Sequence, residues 1–334
     1  MKDKPILLCF GTRPEWLKIK PLVKLMDRSE YKLLFTGQHT DLLKDVEVDY
    51  KITISENSNR LDSIISDCML QFPNGDFRGV LVQGDTGSVF GCGLAAFNRK
   101  IRIYYLEAGL RSGNLQHPYP EEGYRQMIAR ISDVNFTPTE LSAQNLKDEK
   151  VHGEIHIVGN SVLDNLISFP KPTMENIVLI TLHRRENHHW MNEWFEEIEK
   201  LAIEYPNYKF VLPIHPNPNV KKHRPILKNV TVVEPLKHTD LINTLIKCNL
   251  IISDSGGLQE EGSFFNKKVI VCRKTTERPE GLETGHLHMC ETPQDLKDLF
   301  GKLIENPYIS SKCPYGDGDT SSKVLKILRN DTKL

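Results

Sequence analysis

The sequence predicts an α/β protein built from two Rossmann-like, doubly wound domains, and three observations carry that expectation. The chain has 334 residues, more than the roughly 100 to 200 that one domain commonly takes. Six short apolar runs are each closed by a polar or glycine-rich cluster and followed by a segment with helical spacing, the rhythm of repeated βαβ units. The runs are continuously hydrophobic rather than alternating, which suits strands buried on both faces of a parallel sheet.

In chain order the runs are ILLCF before GTRPE, GVLVQ before GDTGS, RIYYL before EAGLRSG, IVLIT before LHRREN, KFVLPI before HPNP, and LIIS before DSGG. Pro14 suits a helix start, and Pro21 should kink the helix that follows because it lacks an amide proton. In 121–132 the residues Tyr124, Met127, Ile128 and Ile131 make an apolar stripe, and Trp190, Trp194, Ile198, Leu201, Ala202 and Tyr205 make another in 190–205. The segment FPKPT at 169–173 marks the boundary between a first domain at 1–168 and a second at 174–312. A final helical stretch in 313–334 should pack back on the first domain.

Composition excludes several function classes. Forty-three Lys plus Arg against 44 Asp plus Glu leave a net charge of −1, so no broad basic field exists to attract nucleic acid or an anionic membrane. Seven scattered cysteines with no CxxC pair read as reduced core thiols, and the histidines lack metal spacing, so no metal is expected. Residues 1–20 carry neither a secretory apolar region nor a membrane span, which points to the cytoplasm.

Ligands of open parallel sheets bind beyond the carboxyl ends of the strands, so all six clusters should lie on ligand-facing edges, and two facing edges would form a cleft between the domains. Gly11-Thr12-Arg13-Pro14-Glu15 joins a strand to a helix and suits an anion through its amides and Arg13, with Lys18 about one turn later. Asp254-Ser255-Gly256-Gly257 is a matching diphosphate cradle, and Glu261 could accept from a ribose diol. Asp85, Glu107 and Glu121 follow strand ends; converging on one cleft, they would raise one another's pKa and become acids or bases useful near neutrality. Each also has a structural reading: Asp85 as a helix cap before Thr86, Glu107 as a partner of Arg111, Glu121 as a partner of Arg125 at i+4. His215, stiffened by prolines, could present an imidazole as proton donor or anion partner.

Taken in order, GTRPE at 11, TGQH at 36, QGDT at 83, EAGLRSG at 107, PYPEE at 118, VGNSVLD at 158, LHRRE at 182, HPNP at 215, DSGGLQEE at 254, TTERPE at 275 and PYGDG at 314 resemble the non-hydrolysing UDP-N-acetylglucosamine 2-epimerases of bacteria. The resemblance implies a glycosyltransferase B-type architecture, a homodimer, no cofactor, and reversible conversion of UDP-GlcNAc to UDP-ManNAc as a supply for surface polysaccharide. It implies anti elimination of UDP to 2-acetamidoglucal and syn re-addition. It implies Asp85, Glu107, Glu121 and His215 as catalytic groups, Arg13 and Lys18 as nucleotide and active-site contacts, Ser255, Gly256 and Gly257 as the cradle, Glu261 as ribose acceptor and Arg278 as a further substrate contact. Gln38 and His39 match a region that contributes to an allosteric UDP-GlcNAc site, although the arginine usual after them is missing. The segment 235–241 lacks the aromatic usual near uracil, which shifts base recognition to backbone groups around Leu236 and Leu241. Epimerases of 6-deoxy or uronic acid UDP-2-acetamido sugars, hydrolysing 2-epimerases, a UDP-sugar glycosyltransferase and a UDP-sugar sensor are the alternatives.

Overall fold

A computed structural model describes residues 4–38, 46–56 and 59–331. The chain divides into two compact units, 1–167 with 316–334, and 168–315.

The first unit is organised on a seven-stranded parallel sheet: β1 Ile6–Phe10, β2 Tyr31–Phe35, β3 Tyr50–Lys51, β4 Gly79–Gln83, β5 Ile103–Leu106, β6 Val134–Thr137 and β7 Glu154–Ile157, in the order β3-β2-β1-β4-β5-β6-β7. Every residue of β1 and β4 is buried, as their unbroken apolar sequences require of central parallel strands. One sheet face packs Leu7, Cys9, Val80, Val82 and Tyr105 against helices Arg60–Leu70 and Gly87–Asn98. The other packs Ile6, Leu8, Phe10, Leu81 and Leu106 with Ile19 and Leu22 of helix Arg13–Leu25 and with Val324, Leu325 and Leu328 of helix Thr320–Asn330. Each fully buried Leu, Ile or Phe contributes roughly 1.5–3 kcal/mol, so the last helix of the chain is a substantial part of this core. Asp164 holds its start by accepting from the Thr320 and Ser321 amides.

Helix Arg13–Leu25 begins with a capping box. The Thr12 hydroxyl accepts from Glu15 N–H, and the Glu15 carboxylate accepts from Thr12 N–H. The helix runs on through Pro21. Helix Glu121–Ile131 departs from the expected stripe: Tyr124 and Ile128 are buried, but Met127 is 43% exposed. The reason is that Glu122 and Arg125 are buried, which turns the inward face by one position and puts Met127 outside.

The second unit repeats the plan with six parallel strands: β8 Ile177–Thr181, β9 Lys209–Pro213, β10 Thr231–Val233, β11 Leu250–Ser253, β12 Lys268–Val271 and β13 Leu287–Met289, in the order β10-β9-β8-β11-β12-β13. Helix Met191–Glu204 buries Trp194, Phe195, Ile198, Leu201 and Ala202 on this sheet, the expected stripe with Phe195 added. Lys267, fully buried, donates to the carbonyls of Thr173 and Cys248 and pins the segment after the prolines. Both sheets are thus doubly wound, with strand order reversing between β1 and β4 and again between β8 and β11. Among the described residues no helix is long and apolar enough to cross a membrane.

Candidate functional site

In an open parallel sheet the loops on either side of the order reversal splay apart and leave a crevice at the carboxyl edge. In the first unit these loops follow β1 and β4. Gly11 follows β1, and a Cβ there would collide with the hydroxyls of Thr36 and Ser88, so only glycine fits. Glu15 is buried and ties the two loops together: it accepts from Gly11 N–H (2.6 Å) and Thr12 N–H (3.1 Å) on one side and from the Thr86 hydroxyl (2.6 Å) on the other. Burial outweighs these donors and pushes the Glu15 carboxyl up to about 7. Thr86, not Asp85, caps helix Gly87–Asn98. Ser88 in that helix donates to Gln38 Oε1 (2.7 Å). His39, the other residue matched to an allosteric region, lies outside the described residues.

Asp85 is therefore released from capping, and Arg125 takes it with Nε and Nη2 on one carboxylate oxygen (2.8 and 2.6 Å). Arg125 also reaches Glu122, which accepts from Ser112 N–H (2.9 Å) and so ties the loop after β5 to helix Glu121–Ile131. Glu121 itself is the half-buried first residue of the helix.

Glu107 directly follows β5 with φ +70°, left-handed for a non-glycine residue. That backbone costs of order 1–3 kcal/mol and is characteristically kept where function requires it. The carboxylate is 8% exposed and is surrounded by Lys18 Nζ (2.5 Å), the Gln83 side-chain amide and Asn160 Nδ2 (3.4 Å), donors from three elements. The expected partner Arg111 instead makes a two-pronged bridge to Glu149 (2.6 and 2.8 Å). Hence Asp85 and Glu107 do not face each other as bare carboxylates: each has its own cation. Arg13 is exposed.

The second unit has its order reversal between β8 and β11, and here a carboxylate is spent on architecture. Asp254 is fully buried and accepts from His183 N–H (2.9 Å), Arg184 N–H (2.9 Å) and Asn187 Nδ2 (3.1 Å), which fastens the loop after β8 to the end of β11. His183 stacks on His215, ring centroids 5.1 Å apart and 14° from parallel. Desolvation lowers the pKa of both, so both imidazoles are neutral at pH 7. Asn217 N–H donates to His215 Nδ1 (3.2 Å), which leaves Nε2 to carry the proton.

Helix Gly256–Phe264 starts at this edge, with Ser255 as its N-cap. Ser255 N–H donates to Ser253 Oγ (2.9 Å), and first-turn amides have no partner within a helix, so Gly256 and Gly257 offer donors at its positive end. A Cβ on Gly256 would lie 2.8 Å from Arg278 Nη1. Arg278 is 6% exposed, bridges to Glu260 (Nε–Oε1, 2.6 Å) and Glu277, and receives the Tyr315 hydroxyl on its carbonyl (3.0 Å). Its guanidinium thus backs the cradle through carboxylates of its own unit. Glu261 is buried and accepts from His238 Nε2 (2.7 Å). Leu241 N–H donates to the Lys237 carbonyl in the first turn of helix His238–Leu245, so that amide is not open for a base.

A sequence model of the family described as UDP-N-acetylglucosamine 2-epimerase matches residues 24–329. The chain belongs to the UDP-N-acetylglucosamine 2-epimerase family. It is 36% identical to the UDP-N-acetylglucosamine 2-epimerase of Campylobacter jejuni, with 97% of each chain covered. It is 34% identical to that of Bacillus subtilis, covering 98% of this chain and 96% of the relative. The crystal structure of the Neisseria meningitidis UDP-GlcNAc 2-epimerase bound to UDP-GlcNAc matches with TM-score 0.86 at 31% identity, covering 98% of this chain and 100% of that one.

In this 2-epimerase family member, Asp85, Glu107 and Lys18 gather at the carboxyl edge of the first sheet, and Ser255, Gly256, Gly257, Glu261 and His215 at that of the second. Sequence reasoning gave no individual role to Glu15 or His183, placed Asp254 only within the glycine-rich cradle, and paired Arg125 with Glu121 rather than with Asp85. The pattern Thr12-x-x-Glu15 was a readable capping signal. Asp254 and His183 sit inside quoted motifs and Arg125 in the helical stripe segment 121–132, but their partners lie 71, 32 and 40 residues away, beyond any local pattern.

Proposed function

We propose that this protein interconverts UDP-GlcNAc and UDP-ManNAc at C2 without releasing hydrolysed sugar, and that it feeds surface polysaccharide assembly. The proton at C2 is too weakly acidic to be removed directly. As the anomeric C1–O bond to the diphosphate breaks, C1 gains oxocarbenium character and C2–H becomes acidic. A carboxylate takes the proton, the C1=C2 double bond of 2-acetamidoglucal forms, and UDP leaves anti to the proton. Return of UDP to C1 and of a proton to the opposite face of C2 completes the inversion, with atoms and charge balanced.

Asp85, Glu107 and Glu121 handle the protons in this reading. Lys18 and Arg125 hold Glu107 and Asp85 in place and compensate their charge beside an anionic substrate. Gly256 and Gly257 amides at a helix N-terminus stabilise the departing diphosphate, and Arg278 secures that helix from behind. His215, neutral and with a proton on Nε2, is a donor to the leaving diphosphate oxygen. The observation that carries the reading is the carboxylate pair Asp85 and Glu107, each buttressed by its own cation at one strand edge.

The test is incubation with UDP-GlcNAc in heavy water, followed by NMR. UDP-ManNAc at equilibrium, with deuterium at C2 of the sugar, is the expected result. Free ManNAc would assign hydrolysis instead, and absence of any exchange would sink both.

A further inference from the structure

Position 238 opens helix His238–Leu245, in the segment whose aromatic is missing, and neither the composition of that helix nor its packing asks for a histidine. Its side chain crosses to the second turn of helix Gly256–Phe264, and Nε2 lies 2.7 Å from Glu261 Oε1. Glu261 is 5% exposed, and among the described residues this is the one hydrogen bond its carboxylate makes. A carboxylate withdrawn from water needs a donor, and here the donor belongs to the loop-to-helix segment opposite the diphosphate cradle.

We propose that His238 is a positioning residue for ribose recognition: it donates to Glu261 Oε1 and presets that carboxylate to accept both hydroxyls of the nucleotide's ribose. The inference rests on the UDP-sugar reading above. Each carboxylate oxygen has two lone-pair directions, so the bond to His238 leaves Oε2 entire and one direction of Oε1, enough for a vicinal diol. A glutamate held in its binding rotamer before the ligand arrives spares the ligand the cost of ordering it. The histidine therefore contributes to affinity without touching the nucleotide, and its contribution is confined to the ribose hydroxyls.

The experiment is calorimetric titration of the full-length protein with UDP and with 2′-deoxy-UDP, for the wild type, H238A, H238Q, E261Q and the H238A/E261Q double variant. The wild type is expected to prefer UDP by at least about tenfold. H238A loses about tenfold in UDP affinity and distinctly less for 2′-deoxy-UDP, which keeps only the 3′ hydroxyl, so the preference narrows. H238Q, which keeps an N–H donor, recovers part of it, and the double variant is no worse than E261Q alone. Unchanged preference in H238A overturns the inference, and so does equal weakening of both nucleotides, which marks a purely structural residue. Failure of the wild type to bind UDP overturns the UDP-sugar reading and the inference with it, an outcome distinct from the other two.

Discussion

The two units use one strand order to do opposite things with it. At the reversal between β1 and β4, the carboxylates Asp85 and Glu107 are presented at the edge with Arg125 and Lys18 as partners. At the reversal between β8 and β11, the carboxylate Asp254 is consumed internally, and the edge offers the amides of Gly256 and Gly257 in its place. Topology determines where a crevice opens. Whether the crevice transfers protons or holds an anion depends on which residue the loop spends on fastening itself. In the first unit that residue is Glu15, one turn inside the helix, which leaves Asp85 available; in the second it is Asp254 itself, and no acid is left over at the strand end.

The contrast can be broken at its sharpest point by Asp85→Asn. If Asp85 transfers the proton as proposed, its loss is expected to slow deuterium exchange at C2 by on the order of 10²–10⁴-fold, while UDP affinity, which the proposal assigns to the other unit, stays within a few-fold by titration. Equal loss of both would make Asp85 a folding residue. Asp254→Asn should do the reverse. Its new amide would point donors at the His183 and Arg184 amides, and a broken buried network of this kind costs about 3–5 kcal/mol. Urea unfolding should show the loss together with UDP binding weakened more than tenfold, and a midpoint unmoved from wild type would refute the fastening role. The smallest effect is reserved for Glu15→Gln. Burial raises the Glu15 carboxyl of the folded protein to about 7, from 4.5 when it is exposed. Between those values the folded protein keeps a proton that the unfolded chain has lost, so stability falls as pH rises through that window, by roughly 3 kcal/mol in all. The Gln variant should lack this fall when urea midpoints at pH 5 and pH 8 are compared. Parallel pH slopes for the two proteins would mean that Glu15 is not the buried acid responsible.

The sequence told most where a property is local. All six apolar runs became strands, because continuous burial on both faces leaves continuous hydrophobicity behind. The strands it did not mark, such as Tyr31–Phe35, Val134–Thr137 and Thr231–Val233, are short or interrupted by polar residues, Asn135 among them. Site residues were legible as motifs, but their partners were not. The local pairing Glu107–Arg111 satisfied turn spacing, yet long-range packing overrode it: Lys18 approaches Glu107 from 89 residues away, and Arg111 bridges to Glu149; Arg125 likewise reaches 40 residues back to Asp85. Convergence of carboxylates was expected to raise their pKa values. Glu15, a carboxyl outside that set, is raised to about 7 by its own desolvation.

The helix Thr320–Asn330 follows the second unit in the chain but completes the core of the first, where Val324, Leu325 and Leu328 meet Ile6, Leu8 and Phe10. The second unit is in effect an insertion, entered after residue 167 and left before residue 316. A chain emerging from its amino end therefore begins the first sheet early and finishes it last: part of one apolar face of that sheet stays uncovered until the whole of the second unit has been synthesised.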